Sequence, residues 1–344
     1  MAEFMKAIAV IKPDEVKVVH DVPVPEPGDY EALVKVHACA FCNGTDMQVI
    51  HGTIQHDFLG YPTILGHEGA GEVIKVGSKV RNIKVGDRYI HNNLHDNVGN
   101  GYSRTYGGFA QYGIVSDNAA MLEDGYSKKD FPFVKQHKFP ADIDYTDATL
   151  LLSLAECCSA AKNFGVCEGK DVIIYGDGPM GIATSFFCKL FGANVTHVGM
   201  LADRLAAVKK IAAPDLIINA KEQNTDEVLN GKLFDIAIDI VGNTKIMYEA
   251  NHRLKLRGTV GLMGVYKPDD YLIDISKLKV NTSVQYLNFP SGEYEAINDV
   301  IQLIEDGRLN PKDFYSHVLP MEQIDTALEL VRTYQSLKVV LTID

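Results

Sequence analysis

The run Gly176-Asp177-Gly178-Pro179-Met180-Gly181 decides the fold. It lies between a short apolar stretch, Val172 to Tyr175, and a longer one at helical spacing, Met180 to Phe191, with a second strand-like stretch opening near Val195. In that strand, turn and helix setting each glycine has a physical task. Gly176 permits the tight turn, Gly178 lets backbone approach a pyrophosphate, and Gly181 lets helix and strand close on each other. The phosphates then sit at a helix N-terminus, where unpaired N–H groups and the helix dipole favour negative charge. Pro179 in the first turn forfeits no needed donor, and Met180 follows it in the same cradle.

Working outward, apolar stretches at Leu216 to Ile218, Ile236 to Ile240, Thr259 to Met263 and Thr282 to Leu287 alternate with helical ones such as Arg204 to Ile211 and Lys245 to Leu254. Strands that alternate with crossover helices make a doubly wound parallel sheet. Upstream, from Met5 to about Ile90, apolar residues alternate or come in bursts broken by Pro and Gly, which reads as mostly β. The polar, Gly-rich stretch His91 to Gly108 reads as an exposed loop. After Gly292 come two amphipathic helices, Tyr294 to Ile304 and Ile324 to Thr333, and a last strand, Lys338 to Thr342.

A chain of 344 residues, 46% hydrophobic and 23% charged, has the composition of a globular protein with two domains. Its net charge of -12 argues against a broad grip on nucleic acid or an acidic membrane. Ala7 to Ile11 is too short for a signal-peptide core or a span, so a cytoplasmic location is expected. Six cysteines in so long a chain are not a disulfide framework. Cys39 and Cys42 form a lone CxxC pair with three readings open: a redox dithiol, half a zinc knuckle, or one ligand beside one core residue.

A dinucleotide-binding sheet of this kind commonly carries an acid at the end of its second strand, about twenty residues past the first glycine, to hold the ribose 2′-hydroxyl of NAD. Here Val198-Gly199-Met200 offers none. With no carboxylate to repel a 2′-phosphate, and Arg204 near enough to pair with one, NADP is expected over NAD.

Two further clusters are Cys39-Ala40-Phe41-Cys42-Asn43-Gly44-Thr45-Asp46 and Gly66-His67-Glu68-Gly69. Cys, His and carboxylate are the donors of a catalytic zinc with one open position. With these clusters and the later glycine run, the chain resembles the medium-chain dehydrogenase/reductase superfamily, in its zinc-containing alcohol and polyol dehydrogenase branch. The resemblance implies an α/β protein with a GroES-like, mostly β catalytic domain formed by both chain ends, 1–151 and 288–344, around a Rossmann dinucleotide-binding domain, 152–287. It implies zinc on Cys42 and His67, with Glu68 as a direct or exchanging ligand, and Thr45 as the relay for the substrate proton. It places Val241-Gly242 and Met263-Gly264-Val265 beside the nicotinamide, and matches Lys338 to a basic residue that reaches the pyrophosphate. It also implies a homo-oligomer, dimer or tetramer, joined at the edge strand Thr282 to Leu287.

Three departures qualify the match. Asn43 and Gly44 both stand between Cys42 and Thr45, where the family has one residue. A third zinc ligand of the family falls on or near Leu152, which cannot bind metal; Glu156, one helical turn on, is the candidate substitute. No cysteine lies in 91–108, which excludes a four-thiolate structural zinc. The reaction implied is hydride transfer between an alcohol, polyol or sugar hydroxyl, or the matching carbonyl, and NAD(P). A zinc-free quinone or enone reductase and a catalytically silent dinucleotide-binding protein are the competing readings.

Overall fold

The computed structural model describes residues 3–54, 60–131, 136–270 and 272–344. The chain forms two compact units, Met1–Leu152 with Asn310–Asp344, and Ser153–Leu309. Among the described residues no helix is long and apolar enough to cross a membrane.

The second unit is a six-stranded parallel sheet of β1 (Asp171–Tyr175), β2 (Asn194–Gly199), β3 (Leu216–Asn219), β4 (Phe234–Asp239), β5 (Leu254–Leu262) and β6 (Ser283–Tyr286), in the order β3-β2-β1-β4-β5-β6. The order reverses beside β1, and ligands of such sheets bind at the crevice this opens at the strands' carboxyl ends. Residues such as Ile173, Ile218, Phe234, Ala237 and Val260 from the strands meet Met247 and Ala250 from a covering helix in one core.

The first unit is mostly β, with a five-stranded and a seven-stranded sheet. In the larger sheet the strand Glu31–Ala40 is flanked on one side by Glu68–Val76 and on the other by the C-terminal strand Val339–Thr342, both antiparallel to it. Ile8, Phe41, Leu65, Phe109, Leu328 and Leu341 belong to the main core beneath. The chain's last residues are therefore built into the middle of its first domain.

Two expectations are corrected. The helix Glu293–Glu305, expected in the catalytic domain with the rest of 288–344, goes with the sheet unit, so the boundary falls after Leu309. It buries Tyr294, Ala296, Ile297 and Val300, and it is tied to the helix Leu151–Asn163 by Lys162 and Asp299 at 2.6 Å. The neighbouring Asn163 side chain also donates to the Ser291 carbonyl at 2.6 Å. The stretch 91–108, expected to be an exposed loop, holds the short strands Asn97–Gly99 and Tyr102–Arg104 and buries His91, Asn92, Asn93 and Leu94. Asn93 is held by backbone bridges to Ile114 in both directions, so its backbone polar groups are satisfied without solvent.

Candidate metal and dinucleotide sites

Strand register brings the two donor clusters together. Ala40 is paired with Glu68 on one side and with Val340 on the other, so the end of the Glu31–Ala40 strand, the start of Glu68–Val76 and the start of Val339–Thr342 share one edge. Cys42 lies two residues past Ala40, His67 just before Glu68, and Lys338 just before Val339. One ligand atom each of Cys42, His67 and Glu68 lies within 4.8 Å of the others. Gly66 sets the approach: its φ is +94°, and a Cβ there would stand 2.8 Å from the Phe109 backbone nitrogen.

The surrounding groups orient the donors. Asp46, buried in the first turn of the helix Thr45–Ile50, accepts the Cys42 backbone N–H on Oδ2 at 2.9 Å and faces His67 Nδ1 with Oδ1 at 3.5 Å. Nδ1 thus faces a carboxylate, and a carboxylate beside a ring nitrogen is the usual means of orienting a ligating imidazole. Tyr106 packs against the His67 ring with centroids 5.3 Å apart. Burial opposes charge on His67, but Asp46 and Cys42 outweigh it and hold the imidazole well above its ordinary pKa. A thiol, an imidazole and two carboxylates gathered in a buried place call for positive charge, and this donor set fits zinc.

Lys338 supplies part of that charge. Its ammonium lies 2.7 and 2.6 Å from the two Glu68 oxygens, with both side chains almost wholly buried. Cys39 belongs to the hydrophobic core, and burial pushes its thiol well up. Of the three readings of the CxxC pair, the geometry matches one ligand beside one core residue. Thr45 is the first residue of its helix and half-buried; Gly44, not Thr45, occupies the N-cap position. Leu152 is buried. Glu156 is half-buried on the helix Leu151–Asn163 of the second unit, its carbonyl accepting from Ser159.

In the sheet unit the expected cofactor residues converge at the carboxyl ends of the strands. A Cβ on Gly181 would stand 1.8 Å from the Gly176 carbonyl oxygen, so helix and turn touch backbone to backbone there; a Cβ on Gly178 would meet nothing within 4 Å, which leaves that backbone open to a ligand. Gly178 caps the helix Pro179–Leu190, with Pro179 in its first turn and Met180, half-buried, behind it. Val241 reaches back to Gly176, while Gly242 packs directly on Gly264 and Val265, which follow Met263. The turn at Val241 and Gly242 is built by the fully buried Asp239, whose Oδ1 accepts both of their N–H groups, at 2.8 and 3.1 Å, and whose Oδ2 accepts from Asn243 and the Tyr266 hydroxyl. Gly199 is buried at the end of β2, and Arg204 stands on the helix that follows.

The family model described as Alcohol dehydrogenase GroES-like domain matches residues 28–124, and the one described as Zinc-binding dehydrogenase matches residues 179–306. Sorbitol dehydrogenase of Gallus gallus is 27% identical, over 94% of this chain and 92% of that protein. L-threonine 3-dehydrogenase of Pyrococcus horikoshii is 29% identical, over 99% of each. The chain belongs to the zinc-containing medium-chain dehydrogenase/reductase family. The crystal structure of 2R,3R-butanediol dehydrogenase from Bacillus subtilis, 18% identical over 99% of this chain and 100% of that one, has the same fold with a TM-score of 0.81.

As a medium-chain dehydrogenase the protein is an oxidoreductase with zinc and a nicotinamide cofactor, acting on a small molecule. Three residues with structural consequence were not assigned a role from the sequence of this dehydrogenase: Asp46, Asp239 and Asp177. Asp46 had a signal, since an acid four residues past a metal cysteine returns to it over one helical turn. Asp239 had one too, as a lone acid ending an otherwise apolar strand. Asp177 had none.

Proposed function

We propose that this chain oxidises a carbon-bound hydroxyl of an alcohol, polyol or sugar, or reduces the matching carbonyl, with zinc held by Cys42 and His67 and hydride exchanged with a nicotinamide dinucleotide. The observation that carries this reading is the meeting of Cys42, His67 and Glu68 within 4.8 Å. When bound, zinc supplies Lewis acidity that lowers the pKa of a hydroxyl, and the nicotinamide supplies the hydride chemistry. Asp46 keeps His67 turned and the Cys42 loop closed. Glu68, countered by Lys338, serves as the ligand that exchanges with water. The Thr45 hydroxyl carries the substrate proton, and Glu156 replaces the ligand missing at Leu152.

Gly176, Gly178 and the first turn at Pro179 and Met180 cradle the pyrophosphate; the charge of Lys338, expected to reach it, is taken up by Glu68. Val241, Gly242, Met263, Gly264 and Val265 border the nicotinamide. Between NAD and NADP, the expected lean to NADP rested on the lack of an acid at Val198-Gly199-Met200 and on Arg204 as a partner for a 2′-phosphate; Asp177 stands 3.9 Å from Arg204. A cytoplasmic, homo-oligomeric protein completes the reading. Its support is six free thiols and the exposed apolar residues Leu272, Ile275 and Val280 before the edge strand β6.

A cofactor-coupled screen of alcohols, polyols and carbonyls, run beside metal analysis of wild type, Cys42→Ser and Glu156→Gln, tests the reading. One zinc per chain, turnover of a hydroxyl substrate, and loss of both in Cys42→Ser are expected. Turnover retained by a zinc-free chain would overturn it. Glu156→Gln with unchanged zinc retention would remove Glu156 from the ligand set.

A further inference from the structure

The end of β2 lacks its own acid, but the structure supplies one from elsewhere. β1 and β2 pair in parallel with Tyr175 opposite Val198, so residues 176–178 and 199–201 leave the sheet side by side. Asp177 leans across that gap. Its Oδ2 accepts the backbone N–H groups of Met200 at 2.6 Å and Leu201 at 2.8 Å, the two residues that lead into the helix Ala202–Ile211. Leu201 is the N-cap of that helix and offers no side-chain acceptor; Asp177 instead fixes the backbone of Met200 and Leu201 at the point where the chain enters the helix. The side chain also takes the space above Gly199: a Cβ on that glycine would stand 2.7 Å from Asp177 Cβ and 2.8 Å from its Oδ2.

The other oxygen, Oδ1, is turned to Arg204, with Nη1 at 3.9 Å and both side chains largely buried. The carboxylate therefore has one oxygen fixed to backbone and a second at the edge where the ribose of a dinucleotide lies when its pyrophosphate rests at Gly178. A ribose 2′-hydroxyl can donate to that oxygen. A 2′-phosphate meets like charge there, and the nearby guanidinium lies within ion-pair range of the carboxylate.

We infer that Asp177 is the cofactor-specificity residue of this protein: its carboxylate receives the adenosine ribose hydroxyl, restrains Arg204, and makes NAD the preferred cofactor over NADP. This rests on the dinucleotide reading of the glycine loop and reverses the preference expected from Val198-Gly199-Met200 alone. It needs neither zinc nor substrate, so binding of half-cofactors tests it without turnover.

The experiment titrates the full-length, zinc-loaded protein with ADP-ribose and with 2′-phospho-ADP-ribose by calorimetry, in wild type, Asp177→Asn, and Asp177→Asn combined with Arg204→Met. Asparagine keeps an oxygen for the Met200 and Leu201 N–H groups, so the anchoring of these two residues survives, and an unchanged thermal midpoint verifies this. Wild type is expected to hold ADP-ribose about tenfold or more tighter than its phosphorylated form. Asp177→Asn is expected to narrow or invert that ratio, and the added Arg204→Met to cancel the gain for the phosphorylated ligand. Wild type that holds the 2′-phosphorylated ligand equally or more tightly overturns the inference, as does an unchanged ratio in a folded Asp177→Asn. If neither ligand binds the wild type, the dinucleotide reading falls and takes this inference with it.

Discussion

Lys338 and Glu68 form a buried ion pair next to the metal donors, and such pairs are far more costly to break than to replace. Lys338→Met leaves the Glu68 carboxylate without its counter-ion, at a cost of about 3–5 kcal/mol in the zinc-free protein. Zinc offers that carboxylate another cation. The destabilisation, read as the shift in denaturation midpoint, is therefore expected to be smaller with zinc than without; an equal shift in both would show that Glu68 does not face the metal. His197 gives a second residue-scale expectation. It is wholly buried on β2, with Nδ1 2.7 Å from Ser185 Oγ, and burial lowers its pKa to about 4. The unfolded chain takes up a proton near pH 6.5 that the folded ring refuses until about pH 4. Stability is thus unaffected above pH 6.5, falls as pH drops from there to about 4, and loses no more from this group below that. The loss is about 3 kcal/mol. Comparing the acid limb of the stability curve for wild type and His197→Asn checks it; the variant should be flatter over that window.

At the level of elements, the turn from β1 into the helix Pro179–Leu190 depends on backbone contact between Gly176 and Gly181. Gly181→Ala places a methyl 1.8 Å from the Gly176 carbonyl oxygen, so the helix must move off the strand. A destabilisation of about 1–3 kcal/mol is expected, together with weakened ADP-ribose binding. Gly178→Ala, which meets no protein atom, should weaken ADP-ribose binding with little loss of stability. Equal losses of stability in the two variants would refute the distinct roles assigned to these glycines. The glycine run was legible in sequence because every atom it needs is local: strand, turn and helix are contiguous. Asp177 was not, because its partners Met200 and Leu201 are brought to it by the β1–β2 register, which no stretch of sequence states. The helix Glu293–Glu305 was legible as an amphipathic helix, but its apolar face does not say which domain it covers. The buried Asn92 and Asn93 misled in the opposite way, since polar side chains in a Gly-rich stretch read as surface.

Across the whole molecule, the chemistry depends on chain segments far apart in sequence. Cys42, His67 and Lys338 meet because Glu31–Ala40 lies between Glu68–Val76 and the C-terminal strand, so the carboxyl terminus of the chain completes the surroundings of its amino-terminal metal donors. The donor types were visible in the sequence, and their meeting was implied by resemblance to a family; only the register explains it physically. The central claim is that Cys42 and His67 share one zinc ion. X-ray absorption at the zinc edge on the purified full-length protein tests it most directly. One zinc per chain is predicted, with a sulfur neighbour at about 2.3 Å and a nitrogen at about 2.0–2.1 Å, and with the sulfur lost in Cys42→Ser. A spectrum of wild-type protein with oxygen and nitrogen neighbours only, unchanged in Cys42→Ser, would contradict the account.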